Sequence, residues 1–256
     1  MYTKNHLREC LENGTPAVGC WNLLCSPMAL EIVGLAGFDF TIIDHEHGPS
    51  DFLNAVSLMH AVSATQMTPV MRVPWNDPVY MKRALDIGVQ GIMVPSVNTA
   101  AEAKAAVEAC NYPPKGIRGA AYPWARASDY GLKAANYVED APKNFVLICQ
   151  IESVEAVQNI PEIAAVDGVD LLFIGPLDLS ASMGIIGQTE TPAFKELRAK
   201  AEEAIKDSGK WLGGLVAQGD SAQAMIDRGY AFVSGVSDLS LLRDSAVAHL
   251  KSLGRA

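Results

Sequence analysis

Eight short apolar runs, each followed by a helical pattern, occupy this chain from end to end without a break in composition. That alternation predicts an α/β fold, and three observations narrow it to a (β/α)8 (TIM) barrel. Strands alternating with helices build parallel sheets. A barrel of about 250 residues is one domain, and the chain has 256 residues. The competing doubly wound sheet would carry a G-x-G-x-x-G turn after its first strand, and none is present. Residues 1–256 are therefore read as a single barrel domain.

An amphipathic opening, His6 to Leu11, precedes strand one at Ala17 to Leu24 and a helix from Met28 to Ala36. Strand two, Phe38 to Asp44, runs straight into His45-Glu-His-Gly-Pro49. Ser50 or Asp51 caps the next helix, which carries Leu53, Val56, Met59 and His60 at helical spacing. Strand three is Thr68 to Pro74, and Asp77-Pro78 opens a helix that closes at Gly88. Strand four, Gly91 to Val97, leads into an alanine-rich helix, Thr99 to Cys110. Asn111 to Tyr130 is long for a connection, and such stretches are usually functional.

Phe145 to Glu152 and Val169 to Asp178 are strands five and six, joined by a helix from Val154 to Ala165. A loop at Gly184 to Thr191 and a helix at Pro192 to Ser208 follow. Strand seven is Trp211 to Ala217, with a helix from Gly219 to Arg228. Strand eight is Tyr230 to Val236, and a last helix runs from about Leu239 to Leu250.

Composition removes several function classes. A net charge of −9 with no basic run argues against nucleic acid and anionic membrane surfaces. No apolar segment approaches the roughly 20 residues that span a bilayer. The polar start, Met1 to His6, lacks a signal-peptide core. Five scattered cysteines without a C-x-x-C pair suggest reduced thiols in a cytoplasmic enzyme.

Barrel chemistry sits at the C-terminal strand ends. Those ends read Trp21, Asp44 to His47, Arg72, Ser96, Gln150 with Glu152, Asp178 and Gln218. Glu152 and Asp178 close neighbouring parallel strands, so their carboxylates repel unless a proton or cation lies between them. Paired oxygens suit Mg2+ or Mn2+, while helix capping is the plainer use of acids at such places. Arg72, in an apolar run, reads as a buried anion clamp whose partner is the substrate. His47 and His45 are rival candidates for a base. Trp21 fits rim packing or a substrate contact, and Arg118 and Arg126 fit bracing of the long loop. A Schiff-base mechanism lacks its lysine, because Lys210 abuts a strand at the N-terminal end.

These motifs together resemble the HpcH/HpaI family of metal-dependent pyruvate aldolases. The residues that carry the resemblance are Phe38-Asp-Phe, Asp44-x-Glu46-His47, Arg72-x-Pro-Trp-Asn-Asp-Pro78 and Leu85-Asp-x-Gly88. Tyr112-Pro-Pro-x-Gly-x-Arg-Gly119, Ala125-Arg-Ala-Ser128, Gln150-x-Glu152 and Gly175-Pro-x-Asp-Leu-Ser180 complete the set. The resemblance implies cleavage of 4-hydroxy-2-oxo acids to pyruvate and an aldehyde. A citrate-synthase-like condensing enzyme on the same barrel is the alternative. It implies Glu152 and Asp178 as ligands of Mg2+, Mn2+ or Co2+, His47 as base and Arg72 as the group sharing enolate charge. Asp86 matches the acid that raises the histidine's basicity. Gln150, with Gly175, Leu177 and Asp178, matches the pyruvate-binding positions, beside Trp21. It also implies a hexamer, a trimer of dimers, with the last helix (238–253) exchanged between neighbours. Two departures, His45 and Leu177, point to an altered substrate preference: a second imidazole beside the base, and a more crowded pyruvate floor.

Overall fold

A computed structural model describes residues 4–255. Its eight strands are β1 (Ala17–Asn22), β2 (Phe40–Asp44), β3 (Thr68–Arg72), β4 (Gly91–Val94), β5 (Val146–Ile151), β6 (Leu171–Ile174), β7 (Trp211–Leu215) and β8 (Phe232–Ser237). They pair in chain order, all parallel, and β8 returns to β1 to close the barrel. Closure leaves no unpaired edge, and it places every C-terminal strand end on one face.

The helices are α1 (His6–Glu12), α2 (Pro27–Leu35), α3 (Phe52–Val62), α4 (Pro78–Ile87), α5 (Ala100–Cys110) and α6 (Ala134–Asp140) in the first half. After them come α7 (Val154–Gln158), α8 (Ile160–Ala164), α9 (Pro176–Ser182), α10 (Pro192–Asp207), α11 (Ala222–Asp227) and α12 (Asp238–Ser252). Local chemistry sets their ends. Asp77 caps α4, whose Pro78 needs no N–H partner, and Gly88 ends it at φ +96°, a conformation that favours glycine. Thr99 and Glu102 form a capping box on α5.

Two layers of core result. Inside the barrel, Phe40 and Phe232 stack with ring centroids 3.8 Å apart, among Ile42, Val70, Met93, Ile148 and Phe173. Leu7 and Leu11 of α1 belong to this cluster, so α1 plugs the N-terminal mouth. Outside, the other strand faces pack against the helix ring.

The structure departs from the sequence reading in four places. The buried face of α3 is Ala55, Leu58, Met59 and Val62, whereas Leu53 and His60 are exposed. The helical period is right and its phase is rotated, because small Ala55 was not read as a core residue. Pro161 cannot donate a backbone hydrogen bond, and the helix expected from Val154 to Ala165 divides at Asn159 into α7 and α8. Strand six stops at Ile174, and Pro176 opens α9, so Asp178 lies in a helix's first turn and not on a strand. Helix α6 and a 3-10 turn, Ala141–Asn144, occupy a stretch without a sequence assignment.

The long connection from Asn111 to Tyr130 is present, and its arginines do brace it. Arg118 is buried and donates to Asp86 Oδ1 at 2.8 Å and to Tyr137 Oη at 3.2 Å. Arg126 donates to Ile87 O at 2.9 Å and Ser63 Oγ at 3.3 Å. A cavity of about 450 Å3 opens there, beside Tyr112, Arg118 and Asp170, towards the N-terminal face.

Candidate active site

At the C-terminal face a cavity of about 380 Å3 is lined by Trp21, Asp44, His47, Arg72, Gln150, Gly175, Leu177 and Asp178, with Phe173, Leu215 and Ser237 among its other walls. None of its lining residues is a lysine. Lys210 instead donates to Val169 O at 2.7 Å, at the opposite end of the barrel.

Asp44 and Arg72 close β2 and β3 in register. The Arg72 fork donates Nε to Asp44 Oδ1 at 2.9 Å and Nη2 to Asp44 Oδ2 at 2.6 Å. Its Nη1 lies 3.0 Å from Glu46 Oε2, and its guanidinium lies 4.4 Å from the Trp21 ring centroid. Trp21 is itself pinned by Nε1 donating to Ser234 Oγ at 2.9 Å. The expectation that Arg72 has no anion but the substrate is therefore corrected. Asp44 is its permanent partner, and two edges of the fork are already committed. Burial would raise the Asp44 carboxyl, but the Arg72 fork and the N–H groups of Glu46 and His47 outweigh burial and hold it below its ordinary value.

Glu152 sits behind this cavity, 7% exposed. Its Oε1 accepts from Ser96 N at 2.6 Å and Ser96 Oγ at 3.2 Å, and its Oε2 accepts from Gln150 Nε2 at 2.9 Å. Ser96 holds φ +53°, a left-handed conformation costing about 1 kcal/mol, and spends it on aiming two donors at Glu152. A Cβ on Gly175 would lie 2.7 Å from Glu152 Oε2, so Gly175 serves by being absent of side chain. Leu177 is 57% exposed, at the cavity's mouth and not its floor.

Burial pushes the Glu152 carboxyl up to about 7. Ser96 opposes this, while the charges of Asp178 and Glu46 add to it. Burial likewise raises Glu46, against Arg72 and His47, with Asp44 and Asp178 adding. Four carboxylates, Asp44, Glu46, Glu152 and Asp178, thus crowd together with Arg72 pairing only the first two, and the Gln150 Oε1 acceptor beside them is buried without a partner. This excess of hard oxygen donors fits a divalent cation.

A folded-state value above the unfolded one stabilises the fold fully below about pH 4.5 and loses that contribution as pH rises through about 7. In chelator, the wild type should lose stability between pH 5 and pH 8, on the order of 3 kcal/mol more than Glu152→Gln. Denaturant titrations at both pH values read this. Equal losses in the two proteins would assign the raised carboxyl elsewhere.

His47 follows β2 with its side chain 67% exposed, and Glu46 Oε2 lies 4.0 Å from its Nε2. Asp86 does not serve it within this chain. It lies near the end of α4, which leads into the N-terminal start of β4, and it pairs with Arg118. His45, its rival, turns away from the cavity. Its Nδ1 meets Tyr80 Oη at 2.7 Å, its ring packs against Phe52, and burial lowers its pKa. His47→Ala should lower turnover roughly 10²-fold, the low end for losing a base, since water reaches this exposed ring's place. His45→Ala should leave turnover near wild type and act on stability. A turnover loss confined to His45→Ala would reverse the assignment.

Sequence reasoning therefore brought together Trp21, His47, Arg72, Gln150, Gly175, Leu177 and Asp178 around one cavity, with Glu152 behind it. It missed the roles of Asp44 and Ser96. An acid and an arginine ending adjacent strands were the available signal for Asp44. Nothing local marks Ser96.

A closed (β/α)8 barrel whose C-terminal face carries a cavity with clustered acids, one fixed arginine and one exposed histidine has the layout of an enzyme site. The family model described as HpcH/HpaI aldolase/citrate lyase matches residues 17–245, and this chain belongs to that family. It is 39% identical over 244 residues to a 4-hydroxy-2-oxo-heptane-1,7-dioate aldolase of Klebsiella pneumoniae, covering 95% of this chain and 92% of that protein. It is 40% identical over 238 residues to a hydroxypyruvate/pyruvate aldolase of Roseobacter denitrificans, covering 93% of each. A crystal structure of an HpcH/HpaI aldolase/citrate lyase family protein from Burkholderia cenocepacia superposes with a TM-score of 0.91 at 34% identity, over 97% of this chain and 99% of that one.

Proposed function

We propose that this carbon–carbon lyase is a metal-dependent pyruvate aldolase, which cleaves and forms 4-hydroxy-2-oxo acids through a pyruvate enolate. The observation that carries this reading is the Asp44–Arg72 pair, which holds a guanidinium over the same cavity as His47, Gln150 and Asp178. Glu152 and Asp178 would hold a divalent cation, Mg2+, Mn2+ or Co2+. When bound, it would supply Lewis-acid stabilisation of charge on the keto oxygen.

The chain's own residues do the rest. Arg72 keeps N–H groups beyond those given to Asp44 and Glu46, and these donate to the oxygen where enolate charge develops. Trp21 and Asp44 hold the fork still, so that stabilisation costs no reorganisation. His47 takes the 4-hydroxyl proton as the carbon–carbon bond breaks and the aldehyde forms, and its exposed position lets water carry a proton back to the enolate carbon, which releases pyruvate. Leu177, Leu215 and Phe173 give the cavity apolar walls against which the aldehyde portion packs.

Pyruvate release from a panel of 4-hydroxy-2-oxo acids, with and without chelator, tests the reading. Activity on none of them, with condensation of oxaloacetate and an acyl donor instead, would favour a condensing enzyme on the same barrel. Activity that survives exhaustive chelation would remove the metal.

The assembly we propose is a homo-oligomer, a hexamer built from dimers, in which α12 packs on a neighbour. Supporting this, among the described residues α12 has its buried residue, Asp238, at its start. Asp238 accepts from Asn22 Nδ2 at 2.8 Å and Leu23 N at 2.9 Å, while Leu241, Leu242, Val247 and Leu250 are all exposed on its surface. Light scattering should give a mass several times 27.3 kDa, and Leu242→Glu should lower it. A monomeric wild type would end this proposal.

A further inference from the structure

Among the described residues, one set of three potential ligand atoms from His, Cys, Asp or Glu lies mutually within 4.8 Å, and it is far from the active site. It consists of His6 and Cys10 on α1, and Asp39 immediately before β2. Positions four apart share one face of a helix, so α1 presents imidazole and thiol side by side. Asp39 stands at the N-terminal start of β2, where α1 plugs the barrel mouth.

The geometry separates a ligand set from a catalytic relay. In a thiol–imidazole–carboxylate relay, the acid and the thiol would meet opposite ring nitrogens. Here both approach the same atom. His6 Nε2 lies 3.1 Å from Asp39 Oδ1 and 3.6 Å from Cys10 Sγ. A single nitrogen carries at most one proton, so it cannot serve the two neighbours as donor at once. Three atoms converging on one point, one from each residue, is how ligands meet a metal.

The two separations at His6 Nε2 are also close to those around a metal ion. With Zn–S near 2.3 Å and Zn–N or Zn–O near 2.0–2.2 Å, a tetrahedral ion places S and N about 3.5 Å apart and N and O about 3.4 Å apart. Asp39 is oriented from behind, because its Oδ2 accepts from Val18 N at 2.8 Å, the kind of outer contact that holds a carboxylate ligand in place. His6 and Asp39 remain partly open to solvent, which leaves a fourth position for water.

We infer that His6, Cys10 and Asp39 bind a borderline divalent cation, Zn2+ by their sulfur, nitrogen and oxygen chemistry, and that it clamps α1 across the N-terminal mouth of the barrel. Binding releases the thiol proton of Cys10 to solvent and forms the metal–sulfur bond. The role is structural. The site stands at the opposite end from Glu152 and Asp178, which offer oxygen alone.

That chemical difference makes the two sites separable by spectroscopy. Co2+ titrated into the reduced, metal-free protein should give a near-ultraviolet thiolate-to-cobalt charge-transfer band that saturates and that Zn2+ abolishes. Glu152→Gln should keep the band. Cys10→Ser should lose it, and so should His6→Ala, whose partly exposed position keeps folding safe. No band in the wild type, or a band that survives Cys10→Ser or His6→Ala, overturns the proposal. So does a band lost in Glu152→Gln. Zn2+ should also raise the melting temperature of Glu152→Gln but not that of Glu152→Gln with His6→Ala, and equal shifts would refute the clamp.

Discussion

Glu152→Gln and Asp178→Asn are each expected to reduce aldol cleavage to the level of the chelated wild type, while the fold survives. The reason lies in the charge balance of the pocket. Four carboxylates crowd there and the one guanidinium pairs with Asp44 and Glu46, so Glu152 is forced towards its protonated form when nothing else neutralises it. Amide replacement keeps the shape and, at Glu152, keeps acceptance from Ser96, so the barrel loses little. It removes the charge that holds a cation, and oxygen ligands of reduced charge bind hard ions weakly. Calorimetric titration with Mn2+ and a pyruvate-release assay read the two consequences together. Wild-type activity in either variant after exhaustive chelation would show that these acids do not hold an essential metal. Wild-type cation affinity with lost activity would instead place the acid in the chemistry itself.

Arg72→Ala is expected to lower turnover about 10³-fold, and Arg72→Lys nearly as much. Losing an oxyanion donor costs about 10²–10³ in many enzymes. This arginine carries a second burden, because its removal leaves Asp44 buried without its partner. Breaking such a pair destabilises by about 3–5 kcal/mol. Lysine keeps one charge but cannot span both Asp44 oxygens and Glu46 while still reaching substrate. Denaturant melts separate the two losses, and Asp44→Asn in the Arg72→Ala background should recover stability without recovering activity. The exchange of pyruvate α-protons with solvent should fall in parallel with cleavage, since it passes through the same enolate and needs no aldehyde. Normal exchange in Arg72→Ala, with aldol cleavage lost, would move Arg72 to the aldehyde side of the pocket.

The barrel was legible in the sequence because its signals are local and repeated. Each strand run is apolar, most of the helices open on a capping residue such as Asp77 or Thr99, and eight repetitions favour one arrangement for a chain of this length. Strand ends follow from that alone, and with them most of the cavity wall: Trp21, His47, Arg72 and Gln150. Asp178 was found for a partly wrong reason, since Gly175-Pro176 ends the strand early and carries the acid into α9.

Partnership was what the linear chain could not display. Arg72 looked like a clamp awaiting substrate until the register of β2 and β3 set Asp44 beside it. His45 and His47 differ by two positions, yet one ring is sealed between Phe52 and Tyr80 and the other faces the pocket. Asp86 shares a motif with site residues, but the helix that bears it delivers it to the opposite end of the barrel, onto Arg118. His6, Cys10 and Asp39 converge only because α1 folds back under β2. Residue type and periodicity follow from short-range chemistry, so the sequence by itself determined the barrel and the face that carries the candidate cavity. Pairing between charges depends on distances across strands and loops, which only the closed tertiary structure decided.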